Sequence, residues 1–319
     1  TQVENVYAKC AKYKKKSLAA YEKFIKTVIA GSPKILFQHK LFSILKKAAQ
    51  KNPLSIVCDM NGSARATSID KKFIPESGIG FIPFNEDKIV HAIIPEPENL
   101  VHCSQKINEL QKEGNKSALL GYMPDCDGDR GNIVYWDEIE QKAKVLRAQE
   151  GFALSVLSEL AYSAYQAQFS QGCGLAKKAE LFLSGKNGQT GSFFGGQKVG
   201  VAVNGPTSMR IEEIAHAFKA EVFRSEVGEA NVVNLAREKR SEGWTVRILG
   251  EGSNGGNITH PAAVRDPLCT IFALVKLLIL KDDQANGALR KGLFHLWCEA
   301  SGQMEKYKEN YTLRDIIET

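Results

Sequence analysis

The sequence predicts an α/β protein made of two consecutive α/β domains, each a mixed sheet packed between helices. Short apolar runs of strand length alternate with longer segments of helical periodicity, and the alternation becomes regular in the second half. Size points the same way, since 319 residues can bury a large core and suggest two domains rather than one. The apolar fraction of 43% and charged fraction of 24% are those of an ordinary globular protein.

In chain order, the stretch 17–30 repeats apolar residues at Leu18, Tyr21, Phe24, Ile25, Val28 and Ile29, the spacing of an amphipathic helix. The basic run KCAKYKKKS at 9–17 reads as a solvated helix face rather than a nucleic-acid platform. LSIVCDM (54–60) is a buried-strand run closed by the turn signal NGS, and GIGFIPFN (78–85) is a second strand. Residues 99–113 form a helix with Leu100, Ile107 and Leu110 on one face. SALLGYMPD (117–125) and NIVYWDE (132–138) are strands on either side of an aspartate-rich loop.

A helix follows over 151–169, then the Gly-, Ser- and Lys-rich stretch 173–197, which reads as an insertion. Strands at 198–205, 221–227 and 245–251 then alternate with helices at Thr207–Ala220, about 231–242, and from Pro267 onward. The longest apolar stretch, PLCTIFALVKLLIL (267–280), contains Lys276 and is too short to span a bilayer, so it predicts a core helix and no membrane association.

A net charge of +6 mildly favours an anionic ligand and does not indicate nucleic acid. Seven scattered cysteines without a CxxC pair predict reduced thiols in a cytoplasmic protein, with neither a disulfide frame nor a structural zinc site. The six histidines show no metal-ligand spacing and read as structural, and no P-loop motif is present.

The aspartate loop PDCDGDRGN (124–132) holds Asp125, Asp127 and Asp129 at alternate positions, followed by Arg130. Three like charges so close read either as a surface Asp/Gly turn or, better compensated, as ligands of a divalent cation, and an all-oxygen set favours Mg²⁺ or Ca²⁺ over zinc or copper. An EF-hand would need glycine and glutamate where Arg130 and Trp136 stand, with helices where strands are predicted. Mg²⁺ on a few carboxylates leaves a coordination position for a phosphate oxygen, which a neighbouring arginine can also fork.

DCDGDR closely resembles the Asp-Gly-Asp-x-Asp-Arg metal loop of the α-D-phosphohexomutases, the phosphoglucomutase/phosphomannomutase superfamily, with Cys126 in place of the first glycine. IVCDMNGSA (56–64), HAIIPEPENL (91–100), VAVNGPTSMRIEEIA (201–215) and EVGEANV (226–232) resemble further family segments, in family order. GEGSNGG (250–256) is similar to the family's sugar-recognition loop Gly-Glu-x-Ser-Gly. Taken alone, Glu251 and Ser253 could read the hydroxyls of a hexose edge or belong to a glycine-rich turn with a capping serine.

The resemblance implies Mg²⁺ on Asp125, Asp127 and Asp129, Arg130 holding the transferring phosphoryl group, and Glu251 with Ser253 binding the hexose phosphate. It implies phosphoryl transfer between C1 and C6 through a phosphoserine, with glucose 1,6-bisphosphate as activator. The family's Thr-x-Ser-His-Asn loop does not occur here, so the chain reads as a central piece of a four-domain mutase, inactive alone, whose partners include the missing first and fourth domains. On this reading 1–50 are the helical tail of domain 1 and linker, 51–146 domain 2 with the metal loop, and 147–319 domain 3 with the sugar loop.

Some positions depart from the family pattern. Ala230 stands where many members carry lysine, Asn254 lengthens the sugar loop, and Arg265-Asp266 resemble the family's step into its next helix, with Asp266 an N-cap. The alternatives are a non-catalytic Mg²⁺-dependent sugar-phosphate binding module and a calcium-stabilised structural domain.

Overall fold

The computed structural model describes residues 1–92, 94, 97–171, 193–252, 256–285 and 288–319. Most of the predicted insertion at 173–197 therefore lies outside the described residues.

The first sheet is built from β1 (Ser55–Asp59), β2 (Gly80–Phe84), β3 (Ala118–Pro124), β4 (Gly131–Asp137) and β5 (Lys142–Val145), in the order β2-β1-β3-β4-β5. β1 runs parallel to β2 and β3, while β4 and β5 are antiparallel to their neighbours. Alternate residues serve two cores, as a pleated strand requires. Val57, Met123, Val134 and Trp136 face a small core under helix α4, while Ile56, Cys58, Leu120, Tyr122, Ile133 and Tyr135 face the main core. Helix α4 itself is Val101–Lys112, preceded in the chain by α1 (Gln2–Ala30), α2 (Ile35–Lys51) and α3 (Asp70–Glu76).

The second sheet holds β6 (Val199–Asn204), β7 (Glu221–Ser225), β8 (Thr245–Gly250) and the short β9 (Ile258–Thr259), in the order β7-β6-β8-β9. β6 is parallel to β7 and β8, because each crossover carries a helix: α6 (Arg210–Ala217) between β6 and β7, α7 (Glu229–Ser241) between β7 and β8. α5 (Ala148–Gln171) and α8 (Pro267–Ile279) pack on each other and join the main core, which runs without a break from Ile25 to Ile316. The protein is thus a mixed α/β structure with two sheets packed among helices.

The expected core helix is α8, buried at every position from Pro267 to Leu277 and again at Ile279. Asp266 is its N-cap, accepting from the Leu268 amide at 2.9 Å. The helix expected over 17–30 starts earlier, at Gln2, and the basic run lies on its exposed first half. Elements with weak periodicity went unread: β5, α3, β9, the hairpin β10 (Asp283–Ala285) and β11 (Ala288–Arg290), and α9 (Leu293–Ser301). The chain closes with α10 (Leu313–Ile317), capped by a reciprocal Thr312–Asp315 box.

Candidate metal centre

The aspartate loop is the hairpin connection between β3 and β4, whose last ladder pair is Pro124 with Gly131. Asp125 organises it. Its amide donates to the Arg130 carbonyl at 3.1 Å, and its Oδ1 accepts from the amides of Gly128 (3.2 Å) and Arg130 (3.1 Å). Oδ2 accepts from Arg130 Nε at 2.7 Å, so the arginine next to the cluster is anchored on its first carboxylate. Gly128 sits at φ +81°, which glycine adopts without the steric cost of a Cβ. From below, the Ala64 amide donates to the Cys126 carbonyl at 2.9 Å.

The three predicted ligands come together. Asp125, Asp127 and Asp129 can each present a carboxylate oxygen within 4.8 Å of the others. Around one hard cation, oxygens at about 2.1–2.5 Å from the metal are separated by roughly 3 to 5 Å, so this donor set fits Mg²⁺ or Ca²⁺. Asp125 is buried, Asp129 half-buried and Asp127 exposed, which leaves the cluster open on one side.

The charges are unevenly compensated. Burial pushes the Asp125 carboxyl up, but the hydrogen bonds and charge of Arg130 outweigh it and hold Asp125 below its usual range. Asp129 is held above its usual value, chiefly by burial; the Asp125 and Asp127 charges add to this, against the opposing pull of Arg265. A bound cation would relieve that repulsion.

Arg265 was read from sequence only as part of a helix start. In the structure its Nη2 donates to Asp129 Oδ2 at 3.0 Å, and its Nε lies 3.1 Å from Glu229 Oε2 in the first turn of α7. One side chain thereby joins the aspartate loop of the first sheet to the second sheet. The loop after β8 arrives at the same place, for a methyl on Gly256 would come within 3.9 Å of both the Asp129 carbonyl oxygen and Arg265.

Glu251 follows β8 directly and is buried. Its Oε1 accepts from Asn204 Nδ2 at 2.8 Å and from the Gly228 amide at 2.9 Å, tying together the ends of β6, β7 and β8. Thr207 extends the tie, accepting from the Gly252 amide at 3.1 Å and donating to Asn204 Oδ1 at 2.6 Å. Asn204 and Thr207 carried no signal beyond their place in the turn-like NGPT. Ser253 and Asn254 lie outside the described residues, and Ala230 is exposed in the first turn of α7.

Residues 185–297 match the family model for phosphoglucomutase/phosphomannomutase, alpha/beta/alpha domain III. That match covers about a third of the chain. It takes in β6 to β9, α6 to α8 and the Glu251 loop. No curated protein matches.

Among solved structures, the chain is similar to parafusin, a phosphoglucomutase from Paramecium, at 16% identity and a TM-score of 0.50, over 86% of this chain and 40% of that one. A phosphoglucomutase/phosphomannomutase family protein from Burkholderia thailandensis matches at 15% identity and a TM-score of 0.46, over 74% and 43%. An Aspergillus fumigatus N-acetylphosphoglucosamine mutase, solved with GlcNAc-6P and magnesium, matches at 14% and 0.35, over 83% and 47%. At 16% identity the likeness to parafusin is one of fold. The chain spans less than half the length of each of these three relatives.

Proposed function

We propose that this chain is the central part of a phosphoglucomutase or phosphomannomutase, with the metal loop in a second domain (51–146) and the hexose reader in a third (147–319). Residues 1–50 would be the helical end of a first domain and its linker. The observation that carries this reading is the convergence at Arg265, which touches Asp129 of the metal loop and Glu229 of α7 in the domain III match.

Asp125, Asp127 and Asp129 would hold Mg²⁺. When bound, the ion supplies positive charge against the oxygens of a phosphoryl group. Arg130, fixed by Asp125 and 41% exposed, can offer its guanidinium to the same oxygens. Glu251 is the acceptor for sugar hydroxyls, its orientation set by Asn204 and Gly228, with Ser253 two residues on as the second hydroxyl contact.

The reaction is transfer of a phosphoryl group between C1 and C6 of a hexose phosphate, with glucose 1,6-bisphosphate as activator of the longer protein. The phosphoserine and the last phosphate-binding loop would come from domains outside this sequence, so the chain alone should not turn over. A cytoplasmic location agrees with free thiols at the six described cysteines, and no helix among the described residues is long and apolar enough to cross a membrane.

The test is a coupled mutase assay with Mg²⁺, a trace of glucose 1,6-bisphosphate, and glucose 1-phosphate or mannose 1-phosphate. This chain would be run beside the product of the full reading frame. Activity in the longer protein only, lost on Asp127→Asn, is the expected result. Silence in both, with Mg²⁺-dependent sugar-phosphate binding intact, would replace the mutase with a binding module.

A further inference from the structure

The metal loop rests on a buried arginine that plays no part in the functional reading above. Arg65 lies in the 3₁₀ turn Ala64–Thr67 and is buried. Its Nε and Nη2 both donate to Asp70 Oδ1, at 3.1 and 2.8 Å, and its Nη1 donates to the Tyr21 hydroxyl at 2.9 Å. Tyr122 donates to the same Asp70 oxygen at 2.9 Å. Tyr21 in turn donates to Asp266 Oδ2 at 2.5 Å, and Asp266 Oδ1 lies 3.6 Å from Arg65 Nη1. The guanidinium is therefore pinned from several sides, and the arginine stem has little freedom left.

That stem is the floor of the loop. A methyl placed on Gly128 would come within 2.7 Å of Arg65 Cδ and 2.9 Å of its Cγ, so the Gly128 backbone sits directly against it. Next door, the Ala64 amide holds the Cys126 carbonyl. On the other side stand three consecutive residues at the start of α8. Arg265 holds Asp129, Asp266 faces Arg65, and Pro267 closes on Gly131, where a methyl would be 3.3 Å from the proline Cβ. The loop is thus held between a floor from the first sheet's unit and a wall from the second.

We propose that Arg65 is a positioning residue of the metal centre: its stem supports Gly128 while its guanidinium, through Tyr21 and Asp266, locks the loop to the start of α8. Arginine suits the task because a fork can serve Asp70 and Tyr21 together, whereas a lysine ammonium at the same stem cannot keep both directions. Groups that orient metal ligands from behind commonly change metal affinity by about 10–100-fold when altered. This inference rests on Asp125, Asp127 and Asp129 being a cation site.

The experiment is a Mn²⁺ titration of the intact chain, followed by the room-temperature EPR signal of the free ion, with thermal melting in parallel. Arg65→Lys should stay folded and bind Mn²⁺ about tenfold or more weakly. Tyr311→Phe, which removes a buried hydrogen bond to the Leu277 carbonyl far from the loop, should lower the melting temperature and leave the Mn²⁺ isotherm in place. A folded Arg65→Lys that binds within about twofold of wild type would overturn the proposal while leaving the metal centre standing. If Arg65→Lys does not fold, Asp266→Asn, which keeps an N-cap, should still weaken Mn²⁺ severalfold, and an unchanged isotherm there overturns the proposal equally. Absence of Mn²⁺ binding in the wild type is a different failure: it removes the metal centre, and this inference with it.

Discussion

Replacing Glu159 by glutamine should destabilise the protein far more than replacing Lys276 by methionine, although the two residues form one buried ion pair. Glu159 and Lys276 are 2% and 1% exposed. Glu159 accepts from Lys276 through Oε1 and from Arg247 through Oε2. Burial pushes the Lys276 ammonium down to about 8, against the attraction of Glu159. The Glu159 carboxyl is nevertheless held below its usual value, because Arg247 and then Lys276 outweigh its burial. The carboxylate thus serves two cations, and Lys276 is the member whose charge the site tolerates least.

Glutamine can accept from only one of the two and turns an N–H group towards the other. Leaving one buried charge without its partner costs about 3–5 kcal/mol. Part of this is offset, since Lys276 stays 4.0 Å over the Tyr162 ring and Arg247 keeps the Val28 and Ile29 carbonyls at 2.8 and 3.3 Å. The expected loss is therefore about 3 kcal/mol. Lys276→Met leaves Glu159 on Arg247 and removes a costly buried ammonium, so its loss should be about 1 kcal/mol or less.

Urea unfolding followed by tryptophan fluorescence would report the difference. With a slope of about 3 kcal/mol/M, Glu159→Gln should lower the midpoint by about 1 M. A Lys276→Met variant less stable than Glu159→Gln would refute this account of the cluster. The matter bears on function because Arg247 is on β8, the strand that delivers Glu251.

Other predictions concern the two loops and the chain end. Asp127→Asn should weaken Mn²⁺ binding by at least about tenfold without lowering the unfolding temperature of the metal-free protein, since Asp127 is exposed and its charge adds to the repulsion on Asp129. Glu251→Ala leaves the Asn204 amide and the Gly228 N–H without their acceptor and should cost about 2–4 kcal/mol in urea; Glu251→Gln, which keeps an acceptor oxygen, should cost about 1 kcal/mol or less. Asp137 is buried at the end of β4, and although burial opposes ionisation, Lys144, the Glu140 and Ile139 amides and Arg314 hold it well below the usual carboxylate range. Its contribution should be complete above about pH 4 and lost as the pH falls below that value. Asp137→Asn should flatten the acid limb of the stability–pH profile, and an unchanged limb would exclude this group as its source.

Much of the fold could be read from the chain because its elements are strongly periodic. Short apolar runs of strand length in LSIVCDM and NIVYWDE placed β1 and β4, and a longer unbroken apolar run placed α8 in the core, since a helix apolar all round has nowhere else to go. The aspartate loop was equally legible, because three carboxylates at alternate positions concentrate charge within one turn and need no distant residue to declare themselves. Other features depend on what comes together in space. Arg265 and Arg65 are separated in sequence by 200 residues, yet one grips Asp129 and the other supports Gly128. Glu251 stands out in the sequence as a candidate hexose contact, but that Asn204 and the Gly228 amide orient its carboxylate shows only in space. Sequence alone determined the main strands and helices and the clustering of three carboxylates in one turn, which are local properties of periodicity and charge. Only tertiary structure decided which residues hold the aspartate loop, because hydrogen bonds and ion pairs between segments more than a hundred residues apart exist only once the two sheets have packed.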